Sequence, residues 1–207
     1  MNILILSAST GGGHMRASKA IEGYMTQQNK DINVKIVDSL LYISPILNKT
    51  VTGGYVYLAT KTPKLYGKLY DLTNKDHKLA NFVTRLNNIF ANKLLPLIDD
   101  FRPDIIITTH PFPTEMVSRL KSKKEINIPL ICIMTDYAPH KAWINDKVDA
   151  YIVANDDMVT KMISEGVDSR CIYPYGIPVD EVFFEEKEKL LELYNAVNGT
   201  DYKNPEL

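Results

Sequence analysis

The sequence predicts an α/β fold built on a doubly wound parallel sheet, with helices covering both faces. Short apolar runs, such as NILILS at 2–7 and DIIITTH at 104–110, are typical of strands buried on both sides. Stretches with apolar residues three and four positions apart lie between these runs and indicate amphipathic helices. Strands that alternate with helices in this way are typical of a parallel sheet.

The predicted elements begin with a strand, a turn and a helix. The strand at 2–7 leads into a glycine-rich turn at 10–14, and helical spacing of apolar residues then predicts a helix at 15–28. A second strand at 33–38 ends on Asp38. The later predictions are strands at 104–110, 129–136, 150–155 and 170–176, and helices at 78–99, 113–123 and 156–165.

Three smaller features complete the prediction of the fold. Gly166 lies just after the predicted helix at 156–165, where a C-terminal cap glycine belongs. Cys132 lies in an apolar run and is predicted to be buried in a strand. Residues 45–76 have no clear period and interrupt the alternation, whereas an acidic helix is predicted near 181–197.

Composition excludes several classes of protein. The chain has 207 residues, 45% of them apolar, which suits one large domain with a single core. A net charge of −1 gives no general attraction for nucleic acid. Cys132 and Cys171 have neither metal-ligand spacing nor a disulfide framework, so we expect a reducing cytoplasm and no metal site. No apolar run is long enough to span a membrane, so any membrane contact is predicted to be peripheral.

The turn Thr10-Gly11-Gly12-Gly13-His14 is the first candidate site. Ligands of a doubly wound sheet lie beyond the carboxyl ends of its strands, and glycines let the backbone approach a ligand. The start of the following helix also favours negative charge. We therefore predict that residues 10–16 bind an anion or a polar headgroup, although three glycines also suit a merely tight connection.

This turn matches neither of two common nucleotide-binding motifs in full. A Walker A loop requires Gly-Lys-Ser/Thr, which the sequence lacks here. The dinucleotide fingerprint is matched at Gly11 and Gly13, but its third glycine is replaced by Arg16. Asp38 lies where a ribose-binding carboxylate would be, so a nicotinamide-dependent enzyme remains an alternative.

His14 is the residue of the turn with the clearest chemistry. An imidazole titrates near neutral pH and accepts a proton from a hydroxyl group. The dipole at a helix N-terminus disfavours its charged form, which keeps it available as a base. The alternative is an exposed or helix-capping histidine, and the residues alone do not decide between the two.

Four motifs in order give the chain a resemblance to a known family. They are STGGGH at 9–14, TTHPF at 108–112, TDYAPHKAW at 135–143 and YGIPV at 175–179. Together they resemble the monogalactosyldiacylglycerol synthase and processive diacylglycerol glucosyltransferase family over about residues 1–183. The resemblance implies the N-terminal half of a GT-B fold, which consists of two Rossmann-like domains. It also implies an inverting hexosyltransferase that needs no metal or cofactor and transfers glucose or galactose from a UDP-sugar to diacylglycerol.

The resemblance assigns roles to particular residues. His14 becomes the general base, and Asp136 is expected to orient the acceptor or His14. His110 and His140 are expected near the acceptor, or else are satisfied loop residues. Trp143 contacts the acceptor or an activating lipid, or is simply packed in the core. The full set predicted to bind the acceptor or an anion is Gly11, Gly12, Gly13, His110, His140 and Trp143.

A basic and aromatic segment predicts contact with a membrane. Residues 45–95 contain eight Lys or Arg against two acids, a local net charge of +6 in a chain whose total is −1. Basic side chains attract anionic lipids and tyrosines favour the headgroup level. The alternatives are a solvated basic face and a nucleic-acid patch, although no recognised nucleic-acid-binding motif accompanies the segment. The residues predicted to contact lipid are Tyr55, Tyr57, Lys61, Lys64, Tyr66, Lys68 and Tyr70.

The sequence also predicts how the chain is organised and what it binds. Residues 1–180 are expected to form the acceptor and membrane side, followed by an acidic helix and tail at 181–207. No glycine-rich sugar-nucleotide segment follows YGIPV, so a donor-binding domain is expected to come from elsewhere, in cis or in trans. The exposed cleft face is a candidate surface for homodimerisation. We expect a cytoplasmic protein on the inner face of the membrane, with diacylglycerol and anionic lipids as partners; the alternative is a non-enzymatic lipid-binding module.

Overall fold

A computed structural model describes residues 1–9, 12–43, 88–138, 141–180, 192 and 195–196 of the chain. These residues form a six-stranded sheet in which every neighbouring pair is parallel. The strands are β1 (Asn2–Ser7), β2 (Asn33–Asp38), β3 (Ile105–Thr108), β4 (Leu130–Ile133), β5 (Ala150–Ile152) and β6 (Ile172–Tyr173). The helices are α1 (Gly12–Gln28), α2 (Ser39–Ile43), α3 (Leu95–Phe101), α4 (Pro111–Ser122) and α5 (Asp156–Ser164).

Both faces of the sheet are buried, which explains why its first strand is apolar throughout. Successive side chains of a strand point to opposite faces. Leu4 and Leu6 therefore pack in one core cluster with residues of α3 and α4, and Ile3 and Ile5 pack in another with Ile21 of α1. Helices thus cover both faces, and the predicted Rossmann-like, doubly wound parallel sheet is confirmed.

The order of the strands fixes where a site can form. Across the sheet the strands run β2-β1-β3-β4-β5-β6. The chain moves outward in one direction from β1 to β2, and in the other direction from β3 onward. The connections that follow β1 and β3 diverge, and ligands of doubly wound sheets bind at the carboxyl ends of such a pair of strands. His14 follows β1 and His110 follows β3, so both histidines lie at this switch point.

Helix ends agree with the predictions at some positions and differ at others. Gly166 has a φ of 93° and donates its N–H to the carbonyl of Ile163, so the predicted cap glycine after α5 is confirmed. α4 begins at Pro111, two residues before the predicted start, because Pro suits the first turn and His110 caps it.

The predicted helix at 78–99 is interrupted within its described part. Residues 88–92 are helical, residues 93–94 form a turn and α3 extends to Phe101. Pro96 lies in the first turn of α3, where its missing N–H costs nothing, but it disfavours continuous helix through the preceding residue.

Four strands are shorter than the apolar runs that predicted them, and the first is β3, which spans Ile105–Thr108 within the run at 104–110. β4 spans Leu130–Ile133 within the run at 129–136, and β5 spans Ala150–Ile152 within that at 150–155. At 170–176 a 3-10 turn over Ser169–Cys171 precedes the two-residue β6. Cys132 is fully buried in β4, as predicted.

Several predictions fall outside the described residues. These include the irregular segment 45–76 and most of the acidic helix near 181–197, of which residues 192, 195 and 196 are helical. None of the helices that the structure describes is long and apolar enough to cross a bilayer.

Candidate active site

His14 lies in the first turn of α1, directly above the switch point. The residues before it, Gly12 and Gly13, are exposed, and a Cβ added at Gly13 would meet nothing within 4 Å. The backbone at Gly12 and Gly13 is therefore open to solvent. Gly11, the remaining glycine of the motif, lies outside the described residues.

A backbone carbonyl determines which nitrogen of His14 carries the proton. Nδ1 of His14 lies 2.8 Å from the carbonyl oxygen of Thr109. A carbonyl oxygen only accepts hydrogen bonds, so Nδ1 must donate and therefore holds the proton in the neutral ring. The lone pair is then at Nε2, which is the nitrogen available to take a proton from a hydroxyl group.

Thr109 is held firmly by its neighbours. Its N–H donates to the carbonyl of Leu6, which extends the pairing of β1 and β3 by one bond. Its hydroxyl donates to Ser7 Oγ at 2.8 Å and lies 2.9 Å from Ser18 Oγ. Ser7, Ser18 and Thr109 are all fully buried, so this hydroxyl cluster fixes the carbonyl to which His14 binds.

A second group meets the same nitrogen of His14. Thr135, which follows β4, places its hydroxyl oxygen 2.6 Å from Nδ1. The same hydroxyl lies 3.5 Å from the Thr109 carbonyl. Because Nδ1 carries the proton, the Thr135 hydroxyl accepts from it and turns its own proton toward the carbonyl. Three adjacent strands, β1, β3 and β4, thus contribute to the placement of one imidazole.

Asp136 does not take the position of an orienting carboxylate on His14 in this structure. Its Oδ2 accepts a hydrogen bond of 2.8 Å from Nε1 of Trp143. It acts on His14 through its charge, which partly offsets the effect of burial on the pKa of that ring. Trp143 itself is fully buried. Its side chain is therefore packed in the core, which is one of the two roles considered for it, and exposes no surface to an acceptor.

Among the described aromatic rings, His110 is the nearest to His14. The two rings meet edge to face with centroids 4.6 Å apart. Nδ1 of His110 accepts from the N–H of Phe112 and caps α4, so the proton of the neutral ring is on Nε2. His110 thus has the structural role that the sequence left open as an alternative. The same cap places its ring beside His14, the proposed base.

Burial keeps both imidazoles neutral near pH 7. Desolvation lowers the pKa of His14, and the Thr109 carbonyl and Asp136 offset part of that effect. Desolvation, followed by repulsion from a charged His14, lowers the pKa of His110 to about 3. A neutral His14 with its lone pair on Nε2 is in the protonation state that a general base requires.

Asp38 has a structural role in this structure. Its carboxylate accepts from the N–H of Ser9 at 3.2 Å and from that of Leu41 at 3.1 Å. These bonds cap α2 and fix the end of β1, which gives this carboxylate a role in the fold that requires no ribose.

The remaining predicted site residues lie outside the part of the chain that is described. They are Gly11, His140 and the seven lipid-contact residues Tyr55, Tyr57, Lys61, Lys64, Tyr66, Lys68 and Tyr70. Among the described residues, no group of three or more His, Cys, Asp or Glu is placed to hold a metal ion.

Sequence reasoning missed the hydroxyl groups of the site. Ser7, Ser18, Thr109 and Thr135 drew no attention as single residues, because Ser and Thr are common and usually exposed. The positions of Ser7, Thr109 and Thr135 at strand ends carried the only signal, and Ser18 within α1 carried none. Thr109 and Thr135 each directly precede a predicted site residue, His110 and Asp136.

Comparison with known structures supports the fold. The lipopolysaccharide outer core galactosyltransferase WaaB in its apo form aligns with a TM-score of 0.51 and 12% identity, over 83% of this chain and 44% of that protein. The UDP-GlcNAc 2-epimerase from Neisseria meningitidis aligns with a TM-score of 0.52 and 14% identity, over 92% of this chain and 51% of that protein. At these identities the similarity concerns the fold alone.

Sequence comparison is more specific. Processive diacylglycerol beta-glucosyltransferases from Bacillus thuringiensis (strain Al Hakam) and Bacillus cereus (strain B4264) are each 35% identical over 185 residues. Each match covers 87% of this chain and 46% of the relative, so the chain spans about half the length of these relatives. The model of the monogalactosyldiacylglycerol (MGDG) synthase family matches residues 14–179, from His14 through the YGIPV motif. The chain therefore belongs to the monogalactosyldiacylglycerol synthase family.

Proposed function

We propose that this chain is the acceptor half of an inverting hexosyltransferase that makes glycolipid from a UDP-sugar and diacylglycerol. The observation that carries the proposal is the His14 ring, whose Nδ1 proton is held by the Thr109 carbonyl. A sugar acceptor hydroxyl is a poor nucleophile at neutral pH, and a neutral imidazole with its lone pair on Nε2 removes the proton as the new bond forms. Membership of the family and the names of the Bacillus relatives supply the substrate class.

The proposed reaction requires both the acceptor half and the donor-binding half of the enzyme. His14 Nε2 takes the proton of the acceptor hydroxyl, the hydroxyl oxygen attacks the anomeric carbon of the sugar, and the UDP leaves with the bonding electrons. Attack from the face opposite the leaving group inverts the configuration. The donor-binding half, in cis or in trans, holds the UDP-sugar.

The carboxyl ends of the strands favour this function over the nicotinamide alternative. The Asp38 carboxylate caps α2 and binds the Ser9 N–H. These two bonds account for the position of Asp38 without a ribose. A lipid-binding module without catalysis would need the same fold but no oriented base, so the fixed His14 ring favours an enzyme.

A chimera tests the proposal directly. Residues 1–179 of this chain are joined to the C-terminal half of the Bacillus cereus glucosyltransferase, and transfer from radiolabelled UDP-glucose and UDP-galactose to diacylglycerol is measured in anionic vesicles. The 207-residue chain is assayed alone and together with the separate donor half. Hexosyl diacylglycerol formed by the chimera supports the proposal, and a folded chimera that binds UDP-sugar and diacylglycerol but forms no product contradicts it.

We further propose that the chain binds the cytoplasmic face of the membrane peripherally. The +6 charge and the tyrosines of residues 45–95 support this location.

The YGIPV motif at 175–179 is proposed as the end of the acceptor domain, 1–180, with the acidic segment 181–207 beyond it.

A further inference from the structure

The environment of His14 Nδ1 differs from that of a catalytic triad. In a triad a buried carboxylate accepts the Nδ1 proton and stabilises the charged ring. Here the carbonyl of Thr109 at 2.8 Å and the hydroxyl of Thr135 at 2.6 Å meet that nitrogen. The adjacent carboxylate, Asp136, is instead bound by Trp143 Nε1 at 2.8 Å.

We propose that Thr135 is a positioning residue, which holds the His14 ring with Nδ1 protonated and Nε2 turned toward the acceptor hydroxyl. This inference rests on the proposed function, because it explains how the proposed base is oriented. The Thr109 carbonyl alone leaves the ring free to rotate about one contact. A second acceptor from a different strand fixes the plane of the ring, since the two oxygens flank the same N–H.

The hydroxyl has a consistent set of partners in this arrangement. It accepts from His14 Nδ1, and its own proton points to the Thr109 carbonyl at 3.5 Å. The opposite tautomer would set the Nδ1 lone pair against the carbonyl lone pairs at 2.8 Å, which is repulsive. When His14 takes a proton from the acceptor, both oxygens continue to accept from Nδ1 and stabilise the imidazolium.

Within the described part of the chain, the other groups around the ring cannot replace Thr135. His110 meets His14 edge to face, and its Nδ1 already accepts from the Phe112 N–H. Trp143 is 6.2 Å away between ring centroids and donates to Asp136. Among the described residues, the charge of Asp136 raises the pKa of His14, and a charged His14 lowers the pKa of the neighbouring His110.

Nitrogen NMR of the ring tests the proposal without any need for catalysis. The 207-residue chain is labelled with ¹⁵N-histidine, and the His14 signals are assigned by their loss in His14→Gln. We expect the wild-type ring to be protonated on Nδ1 at a pH where it is neutral. We also expect Thr135→Val to lower the measured pKa of His14 by about 0.5 to 1, because one acceptor for the charged ring is lost. Thr135→Ser keeps the hydroxyl and should titrate like the wild type.

Two results would overturn the proposal. One is a wild-type His14 ring protonated on Nε2, which needs no variant and so does not depend on the folding of Thr135→Val. The other is a folded Thr135→Val protein whose His14 titrates as in the wild type.

The same variants in the chimera separate this inference from the proposed function. We expect Thr135→Val to reduce kcat roughly three- to tenfold with little change in KM, and Thr135→Ser to restore it. If the chimera forms no product while the ring is protonated on Nδ1 and responds to Thr135→Val, the proposed function fails and the placement of the ring stands.

Discussion

The imidazole of His14 is held by groups that differ from those the sequence emphasised. Its Nδ1 meets a backbone carbonyl and a threonine hydroxyl, and the predicted carboxylate of Asp136 acts only through its charge. Trp143 contacts both residues, because its buried ring lies near His14 and its Nε1 donates to Asp136. Trp143, which the sequence offered as a possible ligand contact, therefore lies in the core and supports the Asp136 carboxylate with a hydrogen bond.

Removal of the indole N–H tests that support. We expect Trp143→Phe to lower the free energy of unfolding by about 1–3 kcal/mol, through a small cavity and one lost hydrogen bond. Urea unfolding measures the change. Asp136→Asn is the matched control, because its amide oxygen still accepts from Nε1 and the core stays filled. A loss from Asp136→Asn as large as that from Trp143→Phe would show that the charge of Asp136, not the packing of the indole, supports the fold.

The depressed pKa of His110 makes stability depend on pH. The unfolded ring takes a proton below about pH 6.5, whereas the folded ring stays neutral until about pH 3. The unfolded state therefore binds more protons in this window, and stability is lost as the pH falls through it. Above about pH 6.5 both states are neutral and His110 contributes no pH dependence.

His110→Asn measures this contribution, because asparagine keeps an N-cap acceptor for Phe112 but cannot titrate. Between about pH 7 and about pH 4.5 we expect the wild type to lose on the order of 2 kcal/mol more unfolding free energy than the variant. Urea unfolding at the two pH values gives the difference. Equal losses in both proteins would mean that His110 becomes protonated in the folded state.

The junction of α1 with β1 and β3 is the element that carries the site. Ser18, one turn after His14, donates to the His14 carbonyl at 3.0 Å and meets the Thr109 hydroxyl at 2.9 Å. We expect Ser18→Ala to destabilise the protein by about 1–2 kcal/mol, because it leaves buried polar groups with fewer partners. Thermal and urea unfolding check this value.

Thr26→Ala in the same helix is the matched control. The Thr26 hydroxyl is exposed and bonds only to the helix carbonyls of Glu22 and Gly23, so we expect a change of less than about 0.5 kcal/mol. Equal effects of the two substitutions would contradict a special role for the buried hydroxyl cluster.

The elements themselves were predictable because their signals are local. The run at 2–7 and the spacing at 15–28 mark β1 and α1, and Gly166 marks the end of α5. The break before α3 depends on Pro96 and on packing. The spacing of apolar residues, which predicted one helix over 78–99, is not sensitive to either. The roles of Thr109 and Thr135 were not predictable, because they arise from the side-by-side arrangement of β1, β3 and β4, which only the folded sheet creates.

The proposed peripheral attachment of the chain requires a negatively charged membrane surface. We expect the chain to sediment with phosphatidylglycerol vesicles and to be released as salt rises, because the screening length shortens. The triple variant Lys61→Glu, Lys64→Glu and Lys68→Glu should abolish most of this binding. Neutral phosphatidylcholine vesicles are the control, and equal binding to both lipids would contradict electrostatic attachment by residues 45–95.

We propose His14 as the base of a hexosyltransferase whose acceptor side is this chain. The most direct test of this proposal is hexose transfer to diacylglycerol by the chimera with His14 and with His14→Gln, with vesicle and UDP-sugar binding followed in the same samples. We predict that His14→Gln lowers kcat roughly 10²- to 10⁴-fold, the usual contribution of a general base, and leaves both binding steps intact. Transfer by His14→Gln at the wild-type rate would contradict the claim.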